Sequence, residues 1–251
     1  ELSPVSLYII GEILHEINFP KGVVNILCGE PTEVATTLSK ITLPKLITMI
    51  GSTETAKRVI SDSSTSIKKY SMELGGNAPV LVFDDADLDL AADVVTGVKF
   101  SNAGQICVAP NRVFVAENVK EKFTEKVVSR AKAAVVGFGK NKDITTGPVI
   151  DKRAFEKIKA LIKDAVMNGA KLLAGGNRPK YLDKGYYISP TVLCDVTEKM
   201  QVYQQETFGP IVSLISFSEE TDLLKMANDC DEGGLTAYIF TTNQTRAEYY
   251  A

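Results

Sequence analysis

Lys45-Leu46-Ile47-Thr48-Met49-Ile50-Gly51-Ser52-Thr53-Glu54 is the stretch whose reading decides the fold. A β-favouring apolar run ends at a Gly-Ser break, and the spacing then predicts a helix from Ser52 to Ser61. Ile67 to Met72 reads as extended again. Upstream, Val23-Val24-Asn25-Ile26-Leu27 reads as a buried strand and Thr32 to Lys40 as a short helix. Before them, Ser3-Pro4 offers a capping hydroxyl and a proline at the first helical position. Leu7, Ile10, Leu14 and Ile17 follow at helical spacing. Strands alternating with helices over about 70 residues imply a parallel βαβ sheet. Such sheets take ligands beyond the carboxyl ends of their strands, where Gly51, Ser52 and Glu73 fall. A helix N-terminus there favours an anion, while Ser52 can equally be an ordinary N-cap.

Beyond Gly75-Gly76 the periodicity restarts. Pro79 to Phe83 and Arg112 to Val115 read as strands, Leu88 to Ser101 and Val119 to Val135 as helices, and Asp151 to Asn168 as another helix. Tyr186 to Leu193 is expected to be extended, and Ile211 to Phe217 and Leu235 to Thr241 to be strands around a helix from about Glu219 to Asp229. A domain change is placed near Leu74-Gly75, giving units 1–74 and 75–251. Asp84, Asp85, Asp87 and Asp89 gather at a helix start, where the dipole stabilises acids. No glycine follows at EF-hand spacing, so they read as a helix start rather than a metal site.

Ser101-Asn102-Ala103-Gly104-Gln105-Ile106-Cys107-Val108-Ala109-Pro110 places a cysteine in a small Gly-containing loop after an amphipathic run. Met72-Glu73-Leu74-Gly75-Gly76-Asn77 places a carboxylate before a Gly-Gly break. A thiol and a carboxylate supply a nucleophile and a general base for covalent chemistry on a carbonyl. Each has a plainer reading: a small buried hydrophobe, a solvated surface charge, a simple turn.

Taken together, Glu73-Leu74-Gly75-Gly76-Asn77, Gly104-Gln105-Ile106-Cys107 and Glu206-Thr207-Phe208-Gly209-Pro210 resemble the aldehyde dehydrogenase superfamily in motif, order and spacing, from the first residues to about Thr242. The resemblance implies an α/β chain, with a partial Rossmann-like NAD(P)-binding domain over 1–74 and a cysteine-bearing catalytic domain over 75–251. It implies NAD or NADP as cofactor and a small-molecule aldehyde as substrate. Cys107 corresponds to the nucleophile, its own N–H to one oxyanion donor, and Glu73 to the general base. Gly51 and Ser52 correspond to the turn beside the dinucleotide pyrophosphate, with Ala56 where many relatives carry a second glycine. Leu74 corresponds to a backbone contact with the nicotinamide carboxamide, Glu206 to the carboxylate on the nicotinamide ribose, and Phe208 to an aromatic packed near the cofactor.

Glu73 favours the branch that forms carboxylic acids, since acyl-transferring branches generally lack it. The strings around Cys107 and Gly147-Pro148-Val149-Ile150-Asp151 are most similar to succinate-semialdehyde dehydrogenases. Ser101 stands where some of those relatives carry a substrate-binding arginine, which leaves lactaldehyde or a general aliphatic aldehyde as the alternative. Family members extend further at both ends, so the chain is expected to be a truncated form, weak or inactive by itself. A binding or structural protein on the same fold, or a thiol esterase, are the competing expectations. The resemblance also implies a homo-oligomer.

Composition narrows the classes. At 251 residues and 45% hydrophobic content, the chain can bury a sizeable core. Its net charge of −3 includes no basic block, which argues against nucleic acid or an anionic membrane surface. Apolar runs are strand-length, too short for a bilayer span. Glu1-Leu2-Ser3-Pro4 lacks the pattern of a secretory signal. The cysteines at 28, 107, 194 and 230 form no C-x-x-C pair and His15 is the single histidine. Free thiols in a reducing compartment, with cytoplasm as the expected location and no metal, follow from that usage.

Overall fold

The computed structural model describes residues 2–218, 220–230 and 234–251. The chain divides into two compact units, Glu1–Leu74 and Gly75–Ala251.

In the first unit, α1 (Val5–Glu16) and α2 (Pro31–Lys40) precede β1 (Leu46–Ile50), α3 (Thr53–Asp62) and β2 (Lys69–Glu73). β1 and β2 pair in parallel, with Leu46 opposite Lys69 and Ile50 opposite Glu73. This is the βαβ crossover expected around Gly51-Ser52. Two expectations fail here. Val23–Leu27 forms no strand; Val23, Val24 and Leu27 are exposed and the segment joins no ladder among the described residues. Extended propensity makes a strand only where a neighbouring edge accepts its hydrogen bonds, and no edge of the β1–β2 pair does so. At α1, Pro4 rather than Ser3 occupies the N-cap position without a side-chain cap, because the Pro4 carbonyl already accepts the first helical bond from Tyr8 at 3.1 Å.

The second unit opens with β3 (Pro79–Val82), α4 (Leu88–Phe100), β4 (Arg112–Ala116), α5 (Lys120–Ala133) and α6 (Lys152–Met167). It continues through β5 (Lys171–Ala174), β6 (Thr191–Cys194), the single-turn α7 (Gln201–Gln204), β7 (Ile211–Phe217), α8 (Glu220–Asn228), β8 (Tyr238–Phe240) and α9 (Gln244–Tyr250). One sheet runs β5-β6-β7-β4-β3-β8, parallel except for the β5–β6 pair. Of the expected 186–193 stretch only residues 191–193 join it, as part of β6; Pro190, lacking an N–H, bars an earlier start. Glu219, the expected first residue of the helix that appears as α8, lies outside the described residues.

Both faces of this sheet are covered, so its inner strands β3, β4, β6 and β7 are buried almost throughout, while the edge strands β5 and β8 are more exposed. Val80, Val82, Val113 and Val115 meet Ala91, Val95, Phe123 and Val127 of α4 and α5. Leu81, Phe83, Phe114 and Ile215 meet Ile158, Leu161 and Ile162 of α6 on the other face. The acidic cluster is structural. Asp87 caps α4 by accepting from Asp89 and Leu90, Asp85 accepts from Thr241, Thr242 and Asn243, and Arg246 pairs with Asp84 and Asp85. No helix among the described residues is long and apolar enough to cross a membrane.

Candidate functional site

α4 ends at Phe100, and the chain then turns through three left-handed residues, Asn102 (φ 47°), Ala103 (φ 54°) and Gly104 (φ 73°). Two of these carry a Cβ, a conformation that costs roughly 1–2 kcal/mol per residue and persists only when neighbours hold it. The Asn102 amide donates to the Gln105 carbonyl at 3.0 Å, and the Gln105 amide donates back to the Asn102 carbonyl at 2.9 Å. Gln105 Oε1 accepts from the Ile150 N–H at 2.8 Å, and the Thr146 hydroxyl donates to the Phe100 carbonyl at 3.2 Å. The turn delivers Cys107 half-buried, with no acceptor for its own N–H among the described residues.

The Glu-Thr-Phe-Gly-Pro loop lies directly against this turn. A Cβ at Gly104 would overlap the Gly209 carbonyl, so only glycine fits both the φ and the space. On the far side, the Gly76 N–H donates to Glu206 Oε1 at 3.4 Å, and a Cβ at Gly75 would lie 2.5 Å from Glu206 Oε2. A Cβ at Gly76 would stand 3.3 Å from the Cys107 carbonyl. The Lys157 ammonium, from α6, donates to the Glu206 carbonyl at 2.8 Å. Phe208, left-handed at φ 45°, keeps 39% of its surface exposed. Thus the second unit gathers Gly75-Gly76, the cysteine turn and Glu206–Gly209 in one place.

Beneath them runs a buried polar network. Lys99 Nζ donates to the Thr207 hydroxyl at 2.9 Å and to Asn111 Oδ1 at 3.4 Å. Asn111 Oδ1 also accepts from the Thr207 hydroxyl at 2.7 Å and its N–H at 3.1 Å, while Asn111 Nδ2 donates to Asn77 Oδ1 and to the Gln205 carbonyl. Asn77 Nδ2 donates to the Tyr203 carbonyl at 2.8 Å. Arg112, fully buried, donates to the carbonyls of Asn77, Met226, Ala227 and Asp229. Burial draws the Lys99 ammonium down to about 7, against the attraction of Glu206 and with the repulsion of Lys157.

The first unit gathers its own residues. The Gly51 N–H donates to the Glu73 carbonyl at 3.0 Å, across the register that sets Ile50 beside Glu73. Ser52 caps α3, its hydroxyl accepting from the Thr55 N–H at 3.2 Å, so the plainer reading of that serine holds in the geometry. Ala56 is buried inside α3. Glu73 is exposed and its carboxylate has no partner among the described residues; Leu74 is half-buried. Glu73 and Cys107 belong to different units, whereas Cys107, Glu206 and Phe208 share one.

Lys99, Asn77, Asn111, Thr207, Lys157 and Gln105 were not singled out by sequence reasoning. One signal existed for Lys99. It falls at helical spacing on the apolar register of Ala92, Val95 and Thr96, where a cation is out of place.

A dinucleotide's nicotinamide-ribose end needs acceptors for hydroxyls and a surface for a planar ring. The second unit offers the Glu206 carboxylate, the exposed Phe208 ring, and a Gly75-Gly76 backbone on which a side chain at Gly75 would strike Glu206. These residues fit that group.

Comparison with known proteins identifies the family over the whole length. The chain matches the aldehyde dehydrogenase family across residues 1–251. It is 39% identical over 239 residues to the 3-sulfolactaldehyde dehydrogenase of Pseudomonas putida, covering 95% of this chain and 49% of that protein. It is 37% identical over 244 residues to a succinate-semialdehyde dehydrogenase [NADP(+)] of Escherichia coli, covering 97% and 50%. The crystal structure of an aldehyde dehydrogenase from Brucella melitensis biovar abortus superposes with a TM-score of 0.93 at 38% identity, covering 98% of this chain and 50% of that one. The chain therefore spans about half the length of the relatives it matches, and it belongs to the aldehyde dehydrogenase family.

Proposed function

We propose that the protein oxidises a small aldehyde to a carboxylic acid with NAD or NADP, using Cys107 as nucleophile and Glu73 as general base. The observation that carries the reading is the convergence of Gly75-Gly76, the strained turn before Cys107, and Glu206–Gly209 in one packed arrangement. The Cys107 thiolate adds to the aldehyde carbon, and the carbonyl electron pair moves to oxygen. The Cys107 N–H, which finds no acceptor among the described residues, supplies one hydrogen bond to that oxyanion. NAD or NADP, when bound, would supply the acceptor for the hydride that leaves the former aldehyde carbon, and Cys107 would then carry the acyl group as a thioester. Glu73 takes a proton from water as it adds to the thioester; the C–S bond then breaks and returns the thiolate.

Glu206 and Phe208 would hold the nicotinamide-ribose end, Leu74 would contact the cofactor through its backbone, and the start of α3 at Gly51 and Ser52 would take the pyrophosphate. Residues 1–74 thus act as the cofactor side and 75–251 as the catalytic side. The similarity to enzymes named for semialdehydes and for 3-sulfolactaldehyde supports a substrate with an anionic tail, succinate semialdehyde first. Homo-oligomeric assembly and a cytoplasmic location complete the proposal.

The test is aldehyde-dependent reduction of NAD and of NADP by the intact protein, on a panel containing succinate semialdehyde, glutarate semialdehyde, lactaldehyde and unsubstituted aliphatic aldehydes. Iodoacetamide labelling runs beside it. Cys107 should be alkylated faster than the exposed Cys28. No reduction with any aldehyde, or faster labelling at Cys28, refutes the assignment.

A further inference from the structure

Lys99 belongs to no motif and touches no group assigned to the reaction, yet it sits at the crossing of both loops. It is 1% exposed, on the last turn of α4. Its carbonyl would lie 2.9 Å from a Cβ on Gly104, so its backbone flanks the turn that presents Cys107. Its ammonium reaches the other way, to Thr207, the residue after Glu206, and to Asn111, which itself holds Thr207 by two bonds. Its ammonium bonds an amide oxygen and a hydroxyl, and forms no ion pair with a carboxylate among the described residues. For stability alone the position is a poor use of a lysine. A buried charge is costly, and replacing one by an apolar side chain of similar size is often neutral or stabilising.

We propose that Lys99 is a positioning residue that fixes the Glu206–Thr207 backbone to the cysteine turn, and so sets where the nicotinamide ribose is held relative to Cys107. This rests on the dinucleotide reading of Glu206 above. Lys157 on the Glu206 carbonyl and Lys99 on the Thr207 side chain grip neighbouring residues from α6 and α4. Losing one grip frees the carboxylate without removing it.

The test compares wild type, Lys99→Met, Thr207→Val and the double variant in the intact protein. Lys99→Met matches the side chain's length and removes both its charge and its donors. Its melting temperature is expected to be unchanged or higher, while its Kd for NAD(P), measured directly by calorimetry, rises about tenfold, the scale of one charge-assisted hydrogen bond. Amide hydrogen exchange over residues 204–210 without dinucleotide should accelerate, and alkylation of Cys107 should stay within about twofold of wild type. Thr207→Val removes the acceptor instead, and the double variant should bind no more weakly than the weaker single one. Unchanged affinity and exchange in Lys99→Met overturn the positioning role alone. If Lys99→Met fails to fold, wild-type affinity in Thr207→Val overturns it equally. A wild type with no measurable dinucleotide affinity overturns the Glu206 reading, and the role of Lys99 with it.

Discussion

The same lysine makes a prediction about stability that needs no cofactor. Burial lowers the folded-state Lys99 from 10.5 to about 7, so near pH 8 the native side chain is largely neutral while the unfolded one is charged. The native state then binds fewer protons than the unfolded state, and stability must rise with pH. The cost is fully present below pH 7, is relieved through the window up to 10.5, and is gone above it. With those two values the gain between pH 7 and pH 9 is about 2 kcal/mol. Lysines, tyrosines and thiols elsewhere also titrate there, but the difference between wild type and Lys99→Met cancels them. Urea unfolding followed by far-UV circular dichroism at pH 7, 8 and 9 gives that difference. The stability of the variant relative to wild type should fall by about 2 kcal/mol over this range, whatever its value at pH 7. Parallel pH curves for the two proteins would show that Lys99 titrates normally, and the buried placement behind the reasoning would be wrong.

Cys107→Ser should abolish turnover in the intact protein without lowering its melting temperature, since a hydroxyl lacks thiolate nucleophilicity near neutral pH; more than a few per cent residual activity assigns the nucleophile elsewhere. Glu73→Gln should permit acylation but slow thioester hydrolysis by roughly 10²–10⁴-fold, seen as a burst of reduced dinucleotide followed by a slow steady state. Gly104→Ala places a Cβ against the Gly209 carbonyl at a φ of 73° and should cost about 2–4 kcal/mol in urea unfolding. Arg112→Met leaves buried carbonyls of Asn77, Met226, Ala227 and Asp229 without their donor and should cost about 3–5 kcal/mol; a loss under 1 kcal/mol in the same assay would show those bonds to be replaceable.

The sequence carried most of the architecture because its signals were local. Gly51-Ser52 marks a strand turning into a capped helix, and the register of β1 on β2 follows from the crossover between them. Asp151, capping α6 through the Ala154 N–H at 2.7 Å, and Asp87, capping α4, are readable in the same way. Val23–Leu27 was not, since whether an apolar run becomes a strand depends on an edge that its own residues do not encode. The polar network was illegible for a related reason. Asn77, Asn111 and Thr207 lie up to 126 positions from their partners in the site, and amides and hydroxyls carry no period. Lys99 did leave a trace, a charge on the apolar face of α4. Only the packed unit shows what satisfies it.

The division of labour inside each motif explains why the motifs are long. Cys107, Glu206 and Phe208 keep exposed or half-exposed side chains, while the neighbours Asn77, Asn111 and Thr207 are buried and bonded to one another. The buried set holds loops in shapes they would not keep unaided, among them the left-handed run at 102–104 and the left-handed Phe208. Such loops cannot be shortened or softened without losing the lock, whatever chemistry they carry. A motif match by itself therefore speaks first for the shape of the loops. What supports catalysis is the kind of group that stands outside the buried network: a thiol whose own N–H has no acceptor among the described residues, and a carboxylate set over glycine backbone. A chain kept only for its fold would have no need of reactive groups at those positions, since alanine at 107 or glutamine at 206 leaves every bond of the Lys99–Asn111–Thr207 network in place.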